Sequence, residues 1–459
     1  MLNKYYEPTA YITSLSCFSS LLSAYISHQT VNLPAHLSAN IHVLPVHHKW
    51  IEVVHTNETM ASKPYEVKWG ILATGGIATT FCKDILCNPA TRNVHDIQHT
   101  IVAVASSSSA SRAETFLKEI KAPSGIKAYG SYHELVNDPN VDVIYIATPH
   151  SHHFQNAMLA LRANKHVLCE KALTVNAAQA RKLFETAKER SLFFMEAVWT
   201  RYFPLSIQVR ELVKNKEIGE VHRVFADLSI AEANDDGSLN FPLENRMINP
   251  ALAGGALLDL GIYAITWVFQ ILYHCQPCSS SEREIPNILA AVQKYEKTGV
   301  DEQTSIILQF PKNKSVGIAT TGIRVATQPD AHNYASKNEA PTIRIQGTKG
   351  EIQVFGPAYR PLRYSVFKNA NKAGDFKTVD CEIPRDPGRE DWGHGMAWEA
   401  DEVGRCLRDG KKESVGLDWR ESEVIMGVMD EVRRQGGLKY SEEIESDVFD
   451  EKSVLNGKA

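Results

Sequence analysis

The sequence predicts an α/β fold whose first domain is a doubly wound parallel sheet of the Rossmann type. Three observations predict it. Short β-branched runs alternate with stretches of helical period between residues 67 and 196, the pattern of a parallel sheet covered by helices on both faces. The first run ends in a glycine turn, Ala73-Thr74-Gly75-Gly76-Ile77-Ala78. Later runs end in Ser, Thr, His, Glu or Lys, as expected where strand ends form the ligand-binding edge of an open sheet.

Bulk properties narrow the function. The chain has 459 residues, 43% hydrophobic and 22% charged, which suits a globular protein of two or three domains. A net charge of −5 and a pI near 6.4 leave no basic footprint for nucleic acid. No run of about eighteen apolar residues suggests a membrane span. The eight cysteines are scattered. Cys275 and Cys278 have C-x-x-C spacing but no second pair to complete a zinc site, and chance spacing in a reduced, cytoplasmic protein is the expectation. Residues 1–63 read as a poorly ordered N-terminal extension. It is neither signal-peptide-like nor Arg-rich, and Met60-Ala61-Ser62 resembles a natural start of the globular part.

Taken in order, Lys68-Trp69-Gly70-Ile71-Leu72 is the opening strand. The turn then follows the dinucleotide-binding pattern of three small residues with substitutions. Ala73 stands at the first glycine position, Gly75 at the close-approach position and Ala78 at the helix-packing position. The helix it opens covers 77–88, and its free N–H groups suit a pyrophosphate. The second strand, 100–105, ends in Ser106, Ser107, Ser108 and Ser109 with Arg112 one turn on. An NAD site would place a carboxylate here; hydroxyls and a guanidinium suit a 2′-phosphate. NADP is therefore the expected cofactor, and the serines also suit a helix cap near Ser111.

The third strand, 141–147, ends in Thr148-Pro149-His150-Ser151-His152-His153. No carboxylate or cysteine nearby completes a metal set, so no metal is expected; Thr148, Pro149, His150 and His153 are assigned to ligand contacts at the strand end. A fourth strand, 166–169, leads to Glu170 and Lys171 on the same edge. A helix over 176–190 and a strand over 192–196 close the first domain, 64–195.

By this point the chain resembles the large family that includes glucose–fructose oxidoreductase and inositol 2-dehydrogenase. The resemblance rests on Ala73-Thr74-Gly75-Gly76-Ile77-Ala78, Thr148-Pro149-His150-Ser151-His152-His153, Glu170-Lys171-Ala172-Leu173 and Gly254-Gly255-Ala256-Leu257-Leu258-Asp259-Leu260-Gly261-Ile262-Tyr263. The stretch Glu196-Ala197-Val198-Trp199-Thr200-Arg201-Tyr202-Phe203-Pro204 is similar to the branch of dihydrodiol dehydrogenases and fungal NADP-dependent xylose dehydrogenases. Two departures stand out: Ala172 where the family usually has proline, and His150 where it often has asparagine.

The resemblance implies a second, α+β domain (196–440) with an open, mostly antiparallel sheet used for homodimerisation, followed by a tail (441–459). Alternating stretches at 221–227, 304–310, 315–321, 343–346 and 351–355 support it independently, with Gly347-Thr348-Lys349-Gly350 as a hairpin. Helices are expected at 398–408 and 419–435. The implied reaction is NADP-dependent oxidation of the C1 hydroxyl of an aldose such as D-xylose to the lactone, with a trans-dihydrodiol as alternative substrate. Tyr263 is implied as acid/base. Lys171 would lower its pKa and bond the substrate, and Asp259, one helical turn earlier, would orient Lys171 or a substrate hydroxyl. Trp199, Arg201, Phe203 and Arg246 are expected to face the substrate; Glu170 would hold Lys171 or the cofactor ribose. A cofactor-sensing regulator on this scaffold would need no catalytic lysine, so Lys171, Asp259 and Tyr263 favour an enzyme.

Overall fold

Each β-branched run of the first half becomes a parallel strand. The computed structural model describes residues 63–328, 340–369, 376–389 and 392–457. The expected N-terminal extension, Lys63 apart, lies outside the described residues. In chain order the first sheet contains β1 (Tyr65–Leu72), α1 (Gly76–Leu86), β2 (Ile97–Ala105), α2 (Ala110–Glu119), β3 (Lys127–Tyr129), α3 (Tyr132–Val136), β4 (Val143–Ile146), α4 (His150–Arg162), β5 (His166–Glu170), α5 (Ala177–Glu189) and β6 (Phe194–Ala197). The strand order is β3-β2-β1-β4-β5-β6. The direction of winding reverses between β1 and β4, so the turns that follow those two strands open one crevice. β3 adds a strand to the expected five. Its three residues pair with Ala103, Val104 and Ala105 and are too few to display a period.

The second sheet follows from the alternating stretches. It comprises α6 (Pro204–Lys214), β7 (Val221–Ser229), α7 (Ile262–Leu272), β8 (Asn287–Lys294), β9 (Asp301–Phe310), β10 (Ser315–Gly322), β11 (Pro341–Gly347), β12 (Gly350–Phe355), β13 (Arg363–Lys368) and β14 (Phe376–Asp380). Its order is β14-β13-β12-β11-β7-β10-β9-β8. Neighbours run antiparallel except the parallel pair β7 and β10. The hairpin pairs Gly347 with Gly350, as its turn residues require. β8, β13 and β14 were not expected. β8 reads Asn287-Ile288-Leu289-Ala290-Ala291-Val292; both of its faces carry apolar residues, which hides the period of two.

Every residue of α7 is buried, and the helix packs on the inner face of β7 and β10. By composition the segment Pro250–Leu272 could pass for a membrane span, yet 94% of its apolar window is buried by the rest of the chain. Its apolarity is that of a core helix. Two longer helices, α8 (Ala397–Arg408) and α9 (Trp419–Gly436), come next. α8 follows the second sheet in sequence but returns to the first. Its Asp401 bonds Arg92 at 2.7 Å and His99 at 3.0 Å, and Gly404 lets it approach so closely that a Cβ there would lie 2.6 Å from Ile97.

Candidate active site

A cavity of about 590 Å³ opens in the crevice between the two sheets, within the range of small-molecule sites. Its floor is the glycine turn. Ala73 holds φ of 85°, a left-handed conformation that costs an L-residue about 1–2 kcal/mol and explains why glycine is the default here. α1 then begins at Gly76 without a side-chain cap. Gly75, Gly76, Ile77 and Thr80 line the cavity, and a Cβ on either glycine would meet nothing within 4 Å. First-turn N–H groups have no intrahelical acceptor, so an anion can settle there. Ala78 is fully buried and packs the helix on the sheet rather than touching a ligand.

The turn after β4 supplies the opposite wall: Thr148, Pro149 and His150 line the cavity. The buried Thr148 hydroxyl has no protein partner. This orphan, the open space over the glycines and the uncapped helix together fit a dinucleotide. His150 is held by the Ala253 carbonyl at 3.3 Å, and burial pushes its imidazole down to about 3. His153 corrects an expectation. It is buried behind the wall, its two ring nitrogens on the carbonyls of Thr148 (2.8 Å) and Ala172 (3.0 Å). It staples the β4 turn to the Lys171 loop and contacts no ligand space.

β5 delivers Glu170 and Lys171. The Lys171 ammonium donates to the Asp259 carbonyl at 2.6 Å and to its carboxylate at 3.0 Å, and Arg246 reaches the same carboxylate oxygen at 2.7 Å. Asp259 lies on a π-helical turn, Leu257–Gly261, that runs into α7; such turns occur often at functional sites. Burial alone would raise the Asp259 carboxyl, but Lys171, Arg246 and His150 together hold it well below the usual range. Glu170 accepts from the Tyr145 hydroxyl at 2.5 Å and from the Lys171 N–H at 3.2 Å. Burial wins there and pushes its carboxyl up to about 7.

Tyr263 enters from α7. Its ring lies under the Lys171 ammonium, 4.9 Å from the centroid, and its oxygen accepts from the Trp199 indole N–H at 2.6 Å. Here the expectation of a lowered pKa is overturned. Burial, and then the Glu170 carboxylate, push the phenol well above 10, because the ammonium faces the ring and is neutralised by Asp259.

The substrate wall divides by local geometry. An extended chain would carry 199, 201 and 203 on one side, but Trp199–Tyr202 form a 3₁₀ turn with a period of three. Trp199 therefore lines the cavity while Arg201 turns into the core. There Arg201 is fully buried, paired with Glu421 at 2.8 Å and bonded to the Gly416 carbonyl. Breaking such a pair costs about 3–5 kcal/mol, more than the 1.5–3 kcal/mol or so a charged hydrogen bond to a sugar returns. Phe203 is buried against Trp398, 4.9 Å between centroids, and backs the wall without lining it. Arg246 does line it, with a side chain 58% exposed.

The serine loop lies beside the glycine turn rather than in the cavity. Arg112 donates to the Thr74 carbonyl at 3.2 Å and pairs with Glu119 at 3.0 Å. Ser106 is buried and bonded to Ser108 at 2.9 Å, Ser107 and Ser108 are exposed, and Ser109 caps α2. Sequence reading missed His394 and Tyr359, which also line the cavity. His394 stacks on Trp199 at 5.0 Å. Its loop is tied to α1 by Asp84, which accepts from the N–H groups of His394, Gly395 and Met396 at 2.6–2.7 Å. These contacts span more than 300 residues and carry no local signal. Among the described residues no group of three His, Cys, Asp or Glu gathers to hold a metal.

Comparison with known proteins agrees with this geometry. Residues 67–198 match the oxidoreductase family with an NAD-binding Rossmann fold, and residues 206–353 match the GFO/IDH/MocA C-terminal domain. The chain is 60% identical over 399 residues to D-xylose 1-dehydrogenase (NADP(+)) of Hypocrea jecorina, covering 86% of this chain and 99% of that one. It is 35% identical over 381 residues to trans-1,2-dihydrobenzene-1,2-diol dehydrogenase of Sus scrofa, covering 82% and 99%. Among solved structures, an NAD-binding oxidoreductase from Klebsiella pneumoniae superposes with a TM-score of 0.64 at 22% identity over 81% of this chain and 97% of that one. A 3-ketoreductase from Actinomadura kijaniata gives 0.60 at 20%, covering 81% and 98%. These two show a shared fold. Sequence motifs, site geometry and relatives agree: this chain belongs to the GFO/IDH/MocA family of oxidoreductases.

Proposed function

We propose that the chain is an NADP-dependent dehydrogenase that oxidises the C1 hydroxyl of an aldose, D-xylose in the first instance, to the lactone. One observation carries the reading: Lys171, Asp259 and Tyr263 meet in a cavity whose floor is an open, uncapped glycine turn. The 60% identity to a D-xylose 1-dehydrogenase directs the choice of substrate. Gly75, Gly76, Ile77 and Thr148 would hold the dinucleotide, with Ser107, Ser108 and Arg112 toward the 2′-phosphate. When bound, the oxidised nicotinamide supplies the hydride acceptor and a positive charge. The Trp199 N–H, which donates to the Tyr263 oxygen, would stabilise its phenolate. Tyr263 then takes the C1 hydroxyl proton while Lys171, oriented by Asp259, bonds the same hydroxyl. Trp199, Tyr359 and His394 form a stacking wall for the C–H faces of the sugar.

The test is absorbance at 340 nm with NADP or NAD, offered D-xylose, D-glucose or a trans-dihydrodiol. Reduction with D-xylose and NADP supports the reading. A dihydrodiol turned over in preference points to the diol activity, and no turnover with tight NADP binding points to a regulator. The 2′-phosphate assignment predicts that Ser107→Asp weakens NADP binding about tenfold to a hundredfold, the worth of one or two charge-assisted bonds, and spares NAD. Equal affinities by calorimetry would remove the serine argument.

The pH dependence follows from Glu170. Glu170 lines the cavity beside Lys171 with its carboxyl raised to about 7 by burial, and its negative charge would favour the cationic, oxidised nicotinamide. Below that value it is neutral, above it charged. Affinity for oxidised NADP, measured by calorimetry, should therefore rise with pH through about 7 and level off above. A flat profile from pH 5 to 9, or an unchanged one in Glu170→Gln, would refute the assignment.

The second sheet supports a homodimer. Leu289, Ile307, Ile318 and Phe225 sit in one cross-strand row on the face opposite α7, and Leu289 and Ile307 remain 65% and 42% exposed. Ile307→Asp is expected to convert a sedimenting dimer into a monomer; a wild-type monomer would overturn the proposal. We also assign the protein to the cytoplasm, a reducing compartment that suits its free cysteines. Recovery of the native protein in a secreted fraction would argue otherwise.

A further inference from the structure

The carboxy-terminal strap does not hang free. After α9 the chain returns to the first sheet and is fastened to α4 and α5 by buried amides. Gln179 donates to the carbonyls of Ile444 and Ser446 at 2.7 and 2.9 Å. Gln155 donates to the Val448 carbonyl at 2.9 Å and accepts from the Asp450 N–H at 3.0 Å. Asn156, with no solvent exposure, donates to the Leu455 carbonyl at 2.8 Å and to the Asn456 side chain at 3.1 Å. Asn456 is equally buried and ties the strap to itself through the Asp450 carbonyl at 3.0 Å. Buried amides left unsatisfied cost free energy, so this set of bonds fixes the path of the strap.

That path ends on the serine loop. Gly457 follows a 3₁₀ turn, Val454–Asn456, and takes φ of 72°, where glycine is favoured. A Cβ built on it would lie 3.1 Å from the Ser107 Cβ and 3.4 Å from the Tyr132 ring. The Tyr132 phenol is itself hydrogen-bonded to Ser107. Ser107 is thus set between Tyr132 and the strap, with its neighbours tied by the bond between Ser106 and Ser108 and by the Ser109 cap. A loop that presents hydroxyls to a phosphate gains affinity when it is held in the binding geometry beforehand.

We infer that the strap, through Gly457, positions Ser107 and so sets the preference for a 2′-phosphorylated dinucleotide over its unphosphorylated counterpart. Gly457 is a positioning residue, and the inference rests on the NADP reading above. The experiment uses the full-length protein and two variants: deletion of residues 453–459, and Gly457→Val. The second leaves every charge in place, crowds Ser107 and Tyr132, and strains the backbone at the positive φ of residue 457. Calorimetry gives the Kd for NADP, NAD, 2′,5′-ADP and 5′-ADP, with thermal unfolding alongside. Both variants are expected to bind NADP and 2′,5′-ADP about tenfold more weakly while NAD and 5′-ADP stay within twofold. Unchanged affinity for the 2′-phosphorylated ligands in Gly457→Val overturns the inference, and so does a parallel loss for all four ligands, which marks general loosening of the sheet. A wild-type protein without preference for NADP would instead refute the cofactor reading, before any variant is compared.

Discussion

Lys171→Met is expected to lower kcat/KM for D-xylose about a thousandfold, the upper end for removing one preorganised donor from a reacting oxygen. Methionine keeps the length of the stem and removes the charge. The fold should survive, because Asp259 keeps Arg246 at 2.7 Å and does not become an unpaired buried carboxylate. NADP affinity should change little, since the glycine turn and the Thr148 wall hold the dinucleotide independently of the ammonium. The loss should fall mainly on kcat, as for an interaction that strengthens in the transition state. A drop of less than about tenfold would show that Lys171 serves only to pair Asp259.

Tyr263→Phe should cost about a hundredfold to ten-thousandfold in kcat, the span of general acid–base catalysis, with KM little altered because the ring and its packing remain. One complication is structural. The Trp199 N–H loses its acceptor at 2.6 Å, and an unsatisfied buried donor costs about 1–3 kcal/mol of stability. The double variant Trp199→Phe, Tyr263→Phe separates the two effects: it removes donor and acceptor together, so stability should partly return while turnover does not. Full turnover in Tyr263→Phe would move the proton to Glu170, whose carboxyl already titrates near neutrality for reasons of burial.

Much of the site was legible because its residues sit at strand ends. Gly75, Thr148, His150, Glu170 and Lys171 each follow a β-branched run, and an open parallel sheet brings such ends together whatever the rest of the chain does. Asp259 and Tyr263 were legible through the family motif that carries them, which places them one helical turn apart. The misreadings share a cause. Arg201, Phe203 and His153 stand within a few residues of true lining groups, and which of them faces the cavity depends on a 3₁₀ turn, a buried partner such as Glu421, or carbonyls brought from another strand.

The periodicity of the chain by itself determined the parallel sheet and most strands of the second sheet, and its motifs determined the chemistry available at the cleft. Both follow from short-range rules: the repeat of a strand or helix, the φ a turn demands and the residues able to bind phosphate or move a proton. The tertiary structure decided what those groups experience. It placed His394 against Trp199 by way of Asp84, pushed the Tyr263 phenol up by burial, and brought Gly457 back onto Ser107. Proton affinities and side-chain directions depend on burial and on neighbours hundreds of residues away, and no local pattern encodes them.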